Sequence, residues 1–356
     1  MRLIHCADLH LDSKLNANLD KEKAKERKAE ILHTFERMVA YAAQNDIAAI
    51  LIAGDMFDTK SISKTTRNTV LHAIENNPHI TFYYLKGNHD YDNFLSGLED
   101  IPKNLKLFGQ EWTTYSIGNV AVSGIELTEQ NTDSAYISLV LDAKKFNIVM
   151  LHGQEAEDVN LKMLRNKGID YLALGHIHAY KREQLDARGI YCYPGCLEGR
   201  GFDECGEHGF VVIDIDETTG QFDHEFIAFA ARKLYAVTVD VTDCSTTSAI
   251  AEKTREALSH AQCESDAMVK IILTGALDVE CEKDIAHLLA HFKSQFYFVK
   301  IYDETTLKIN VKDYMLDESL KGEYVRFIMA DASLSEEDKK AIIRYGLQAI
   351  AGEEVQ

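Results

Sequence analysis

Asp8-Leu9-His10, Gly54-Asp55, Gly87-Asn88-His89-Asp90, His152-Gly153 and Gly175-His176-Ile177-His178 gather carboxylates, an amide and imidazoles in the first half of the chain. Asp and His are the expected ligands of divalent cations such as Mn²⁺ or Fe²⁺, with Mg²⁺ a further option, whereas thiolate-rich sets favour zinc. Asp55 is the natural bridge, because its two oxygens can serve two cations. Asp8, His10 and His178 then complete one metal position, and Asn88, His152 and His176 the other. Two such ions, roughly 3.5–4 Å apart, hold a hydroxide between them and clamp a phosphate for in-line attack. His89 stands beside a ligand and is suited to protonate a leaving oxygen, with Asp90 expected to hold its tautomer.

Each motif closes a short apolar run that reads as a strand: Arg2-Leu3-Ile4, Ala49 to Ile52, Phe82 to Leu85, Ile148 to Leu151 and Tyr171 to Leu174. Ligands at the ends of adjacent strands converge, as in open α/β sheets. Glycine before Asp55, Asn88 and His176 suits backbones that turn tightly there. Between the strands, 21–44 carries an apolar stripe at helical spacing (Ile31, Leu32, Phe35, Val39, Ala42), and 64–76 reads as a helix stopped by Asn77-Pro78. This βαβαβ order implies parallel strands with right-handed crossovers. From Glu111 the pattern becomes strand-rich, with a short helix over 158–166. The fold class is therefore α/β, as mixed sheets stacked in a sandwich with helices outside. Near Arg232 the character changes to a β-α-β-α-β unit: strands over 234–241, 268–273 and 296–302, helices over 246–260 and 280–292. Two amphipathic helices follow over 316–329 and 334–351, the second opened by Ser335 with Glu337 behind it. The expected division is 1–231, 232–312 and 313–356.

The chain has 356 residues, long enough for two or three domains, and its 46% hydrophobic and 27% charged residues are ordinary for a globular protein. No stretch reaches the roughly 20 apolar residues of a membrane span. The first apolar residues run straight into Asp8 and His10, so a cleaved leader would remove the site; a cytoplasmic location is expected. Seven cysteines argue against a disulfide framework. Cys192, Cys196 and Cys205 raise a zinc question, but they lack a Cys-x-x-Cys pair and have only His208 nearby, so they read as reduced thiols. His5, His33, His72, His79, His208 and His224 read as structural or surface residues. The net charge of −19 weighs against nucleic-acid binding, which Lys and Arg normally dominate. Against that, two divalent cations add four positive charges locally, and Lys14, Lys60, Lys64, Arg67, Lys181, Arg182 and Arg200 flank the motifs.

Taken together, the motifs resemble those of the calcineurin-like metallophosphoesterase superfamily. More narrowly, they look like its SbcD nuclease branch, which includes YhaO-type bacterial DNA repair exonucleases. His5 to Ser13 is similar to that branch's opening, and Ala53-Gly54-Asp55-Met56-Phe57-Asp58 to its second motif. Tyr193-Pro194-Gly195-Cys196-Leu197-Glu198-Gly199-Arg200-Gly201-Phe202, with Gly209-Phe210, resembles a further stretch that marks the branch. Asp58 stands where eukaryotic and archaeal members have a second histidine. The resemblance implies a four-layer fold with a smaller α/β cap after Arg232. It also implies Mn²⁺-dependent cleavage of DNA phosphodiesters, often 3′→5′ exonuclease with single-strand endonuclease activity, in DNA repair. A homodimer and an SMC-like ATPase partner are implied too. By the same matching Asp8, His10, Asp55, Asn88, His152, His176 and His178 are carried over as metal ligands and His89 as the catalytic histidine. The alternative is an enzyme of small phosphoesters such as nucleotides, because the motifs themselves do not choose a substrate.

Overall fold

The computed structural model describes residues 1–15, 19–59, 61–91, 94–96, 98, 100–278, 281–308 and 311–351. It divides into two compact units, Met1–Lys233 and Leu234–Gln356.

The first unit begins with β1 (Arg2–Cys6), α1 (Lys21–Gln44), β2 (Ile47–Ala53), α2 (Lys64–Glu75), β3 (Thr81–Leu85) and β4 (Leu105–Leu107). It continues with β5 (Thr113–Ile117), β6 (Val120–Gly124), α3 (Thr132–Ser138), β7 (Phe146–His152), α4 (Leu161–Leu164) and β8 (Tyr171–Gly175). β9 (Lys181–Gln184), β10 (Ile190–Tyr193), β11 (Gly209–Ile215) and β12 (Phe222–Ala228) complete it. One sheet has the order β12-β11-β1-β2-β3-β4 and the other β5-β6-β7-β8-β10-β9. β1, β2, β3 and β4 run parallel, as do β6, β7, β8 and β10, while β11, β12, β5 and β9 are antiparallel additions.

The parallel strands are almost continuous apolar runs because both of their faces are covered. Alternate side chains explain the layers. Leu3, Leu51, Tyr83, Val122, Ile148, Met150, Ala173 and Val211 interleave between the sheets in one buried cluster. The opposite face of the second sheet, with Val149, Leu151, Leu172 and Leu174, packs under Ala135, Tyr136 and Leu164 from α3 and α4. α1 packs on β2 and α2, burying Ile31, Phe35, Met38, Val39 and Ala42. Each fully buried aliphatic side chain contributes roughly 1.5–3 kcal/mol. The outcome is the mixed two-sheet sandwich with outer helices that the pattern implied. α1 has the bounds read from its stripe; Asp20 caps it by accepting from the backbone N–H groups of Glu22 and Lys23. The expected 158–166 helix is only the single turn of α4.

The second unit contains β13 (Leu234–Asp240), α5 (Thr247–His260), β14 (Met268–Thr274), β15 (Ala276–Asp278), α6 (Ile285–Lys293), β16 (Phe298–Asp303) and β17 (Thr306–Lys308). β13, β14 and β16 form a parallel sheet, with Val239, Ile271, Leu273 and Val299 packed against Ile250, Leu258, Leu288 and Phe292 of α5 and α6. β15 and β17 form a second, two-stranded sheet that the sequence reading lacked. Helix α6 starts after Asp284, whose side chain accepts from His287 N, rather than at position 280, which lies outside the described residues. Of the expected 316–329 helix only α8 (Leu320–Ala330) forms, starting late because Ser319 caps it by accepting from Gly322 N, and a short helix that was not expected, α7 (Val311–Met315), precedes it. α9 (Glu336–Ala351) follows; Ser335 opens it by accepting from Asp338 N at 3.1 Å. Val325, Ile328, Ile343 and Leu347 give these helices a small core of their own. No helix among the described residues is long and apolar enough to cross a membrane.

Candidate metal centre

The C-terminal ends of β1, β2 and β3 in one sheet and of β7 and β8 in the other deliver the motif residues, and β2 packs against both β7 and β8. All seven expected ligands meet there. The ligand atoms of Asp8, His10 and His178 lie within 4.8 Å of one another, and so do those of Asp55, His152 and His176. Asn88 Oδ1 joins the second group, 3.0 Å from His152 Nε2 and 3.3 Å from His176 Nδ1. Asp55 faces both groups, with Oδ2 3.9 Å from His10 Nε2 and 3.3 Å from His152 Nε2.

The backbone is bent to make this meeting. Asp8 (φ 52°), His10 (φ 43°), Asp55 (φ 51°) and His176 (φ 102°) all lie in the left-handed region, a conformation that costs non-glycine residues energy and clusters at functional sites. Gly54 (φ 94°) cannot carry a side chain: a Cβ there would fall 2.1 Å from His152 Nδ1. At Gly87 a Cβ would fall 2.2 Å from Asp55 Oδ1.

Proton counting shows that the residues fit cations. His152 Nδ1 faces the carbonyl oxygen of Ala53 at 2.9 Å and His178 Nδ1 the carboxylate of Glu204 at 2.7 Å, so each donates its proton there. In the neutral rings both Nε2 atoms then present lone pairs. His178 Nε2 points at His10 Nε2, 3.1 Å away, and His152 Nε2 points at Asn88 Oδ1 and Asp55 Oδ2. At His152 acceptors face acceptors and need a positive charge between them, and histidine ligands characteristically donate their second N–H in this way. In the absence of cations, protons stand in. Burial opposes protonation of His152, but the hydrogen bond and charge of Asp55 outweigh it and raise its pKa to about 9. Burial raises Asp8 to about 6, although His152 and His178 pull it down. Metal entry therefore displaces protons.

Two features were not read from the sequence. Asp58 Oδ1, not Asp90, lies on His89 Nδ1, at 2.8 Å. The expectation for Asp90 is corrected: its carboxylate accepts from the backbone N–H groups of Met56, Phe57 and Gly87 at 3.2, 2.9 and 3.0 Å. Thus Asp90 ties the loop after β2 to the loop after β3. The second feature is Glu204, held on His178 by Arg200, whose Nη2 is 2.9 Å from Glu204 Oε1. Burial acts to raise the Glu204 pKa, but His178 and Arg200 overcome it and hold the group well below the ordinary range. The only hint in sequence was its place just after the Tyr193–Phe202 stretch. Within that stretch Glu198 is buried, accepting from Arg27 and Thr34 at 3.0 and 2.7 Å, so the stretch is anchored to α1.

The cysteines do not gather: Cys192 and Cys196 are buried separately and Cys205 is exposed. Cys196 Sγ instead meets His208 Nδ1 at 3.2 Å. Several flanking cations are turned inward. Lys181 pairs with Glu155, Arg67 donates to the carbonyl oxygens of Phe94 and Ser96, and Arg200 lies between Asp58 and Glu204. Lys60 lies outside the described residues. A cleft of about 790 Å³ opens beside Asn88, His152 and His176, and its walls include Glu126, Glu129, Glu157 and Asp158.

Residues 1–180 match the calcineurin-like phosphoesterase family. The chain is 27% identical to the metallophosphoesterase YhaO of Bacillus subtilis over 298 residues, covering 77% of this chain and 72% of the relative. It is 23% identical to the DNA double-strand break repair protein Mre11 of Sulfolobus acidocaldarius, covering 96% of this chain and 94% of that protein. The crystal structure of TT1561 of Thermus thermophilus aligns with a TM-score of 0.41 at 12% identity, over 63% of this chain and 98% of its own. The matched segment carries all seven converging side chains, and the chain belongs to the calcineurin-like phosphoesterase family.

Proposed function

We propose that this protein is a two-metal phosphodiesterase that cuts DNA as an exonuclease with endonuclease activity, in DNA repair, with Mn²⁺ as its working ion. Asp8, His10 and His178 would hold one ion and Asn88, His152 and His176 the other, with Asp55 facing both. Bound cations supply Lewis-acid polarisation of the phosphoryl oxygens and an activated water. The protein's own contribution is positional and acid–base. Asp55 and the strand ends fix where a phosphate sits. His89, its Nδ1 proton held by Asp58, presents Nε2 as the acid for the departing oxygen. That Asp58–His89 pair beside the seven converging side chains is the observation that carries the hydrolytic reading.

DNA as the substrate is supported by the similarity to Mre11, which extends over the second unit as well as the first. The same reading includes a homodimer and an SMC-like ATPase partner. α8 and the turn before it expose Leu316, Leu320 and Phe327, an apolar set suited to a partner helix. One observation favours a second reading, hydrolysis of a small phosphoester: the acidic walls of the cleft repel a long polyanion more than a single phosphate. Activity on labelled single- and double-stranded DNA against bis-p-nitrophenyl phosphate, with Mn²⁺, separates the two. Cleavage of both substrate classes is expected; turnover of the small ester alone would overturn the nuclease reading.

A further inference from the structure

The two candidate metal positions are supported by different materials. Behind His152 stands a backbone carbonyl, Ala53 O at 2.9 Å. Behind the histidines of the other position stand side-chain carboxylates. Glu204 Oε1 accepts from His178 Nδ1 at 2.7 Å, and Asp58 Oδ1 is 3.6 Å from His10 Nδ1 as well as 2.8 Å from His89 Nδ1. These two carboxylates come from segments far apart in the chain, and one guanidinium joins them. Arg200 Nη2 donates to Glu204 Oε1 at 2.9 Å and Nη1 to Asp58 Oδ2 at 3.4 Å, while Arg200 N donates to Glu204 Oε2 at 2.7 Å. Ser13 Oγ donates to the same Asp58 Oδ2 at 2.7 Å.

The loop carrying Arg200 is itself fixed. Gly199 O accepts from Arg27 at 2.9 Å, His208 Nε2 lies 2.7 Å from Glu204 O, and Glu204 N donates to Gly201 O at 2.9 Å. Arg200 and Glu204 are mostly buried, with side chains 19% and 8% exposed, so the fork is shielded from competing water. A planar fork that engages two carboxylates at once fixes their spacing, which a lysine ammonium does not.

We infer that Arg200 is a positioning residue for one metal position only: by linking Glu204 to Asp58 it sets the rings of His178 and His10, and leaves the Asn88–His152–His176 position untouched. The inference rests on the two-metal reading of the site but not on DNA as the substrate. It also opposes the electrostatic expectation. As a bare charge, Arg200 repels a neighbouring cation, and its removal would tighten binding. As a positioning residue, its removal loosens binding.

The test is a Mn²⁺ titration of the metal-free protein, reading free Mn²⁺ by electron paramagnetic resonance, so no substrate is involved. Wild type is expected to bind two ions, and His178→Asn identifies the class that belongs to the His10–His178 position. Arg200→Lys keeps the charge and loses the fork; it should weaken that class by about 10- to 100-fold, the usual range for a residue supporting a ligand, and leave the other class within about twofold. Arg200→Gln should weaken the same class, whereas a charge-only role tightens it. Glu204→Gln, a near-isosteric change that reaches the same ring by a different route, should reproduce the selective loss and decides the matter if either Arg200 variant fails to fold. Equal weakening of both classes, or unchanged affinity at both in a folded variant, would overturn the inference. A wild-type protein that binds no Mn²⁺ would overturn the two-metal reading beneath it.

Discussion

The two halves of the candidate centre differ in what holds their histidines. In the Asn88–His152–His176 half, His152 is fixed by main chain: the Ala53 carbonyl stands behind it, and a glycine at position 54 leaves room for its ring. In the His10–His178 half side chains stand behind the rings, Glu204 hydrogen-bonded to His178 and Asp58 3.6 Å from His10, the two carboxylates joined through Arg200. A main-chain support comes with the sheet and changes only if the strand ends move. A side-chain support can be retuned by single substitutions, and Asp58 also touches His89, so ligand placement and acid chemistry share one carboxylate on this side.

The sharpest way to break the comparison is Gly54→Ala. A methyl there meets His152 Nδ1 at 2.1 Å, and the φ of 94° adds strain. Displacing a ligand ring by about 1 Å costs on the order of 100-fold in rate. We expect kcat for bis-p-nitrophenyl phosphate to fall by at least ~100-fold with one Mn²⁺ lost; near-normal turnover would show that the main-chain half is not rigid. Next in size, Asp58→Asn leaves His89 without its carboxylate. General acid contributions run to about 100-fold or more, and they matter least when the leaving group departs without a proton. The variant should therefore lose about 100-fold on a DNA phosphodiester but far less on the p-nitrophenyl ester. Equal losses on both would place Asp58 in metal support alone.

The smallest effect concerns the strand that carries Asp8. His5 is fully buried in β1, its Nδ1 2.9 Å from the Tyr171 hydroxyl, and burial lowers its pKa from 6.5 to about 3. The folded protein keeps this ring neutral where the unfolded chain protonates it, so stability is complete above about pH 6.5 and falls as pH drops below it. Between pH 7 and pH 5 this one group removes about 2 kcal/mol of unfolding free energy. In His5→Phe that part of the pH slope should vanish in urea unfolding curves; an unchanged slope would mean the ring is protonated in place.

The sequence made the ligands legible but not everything that holds them. The ligands of both halves could be read directly, because each follows an apolar strand and the strand ends of a sandwich converge. The stacked mixed sheets and the bounds of α1 were equally plain, since long amphipathic and fully buried segments leave strong patterns. The edge strands β9 and β12 were not, because Lys181 to Gln184 and Phe222 to Ala228 mix exposed and half-buried positions. Asp90 was misread for a related reason: adjacency to His89 in sequence suggested contact, but the turn after β3 sends its carboxylate to the backbone of Met56, Phe57 and Gly87. Glu204 and Arg200 lie in a loop without periodicity, and only folding brings them behind His178. The late start of α8 turned on one cap, Ser319.

The most direct test of the whole centre is anomalous diffraction from crystals grown with Mn²⁺. Two peaks should appear on either side of the Asp55 carboxylate, one among Asp8, His10 and His178, the other among Asn88, His152 and His176. A single peak, or peaks away from Asp55, would contradict the two-metal assignment.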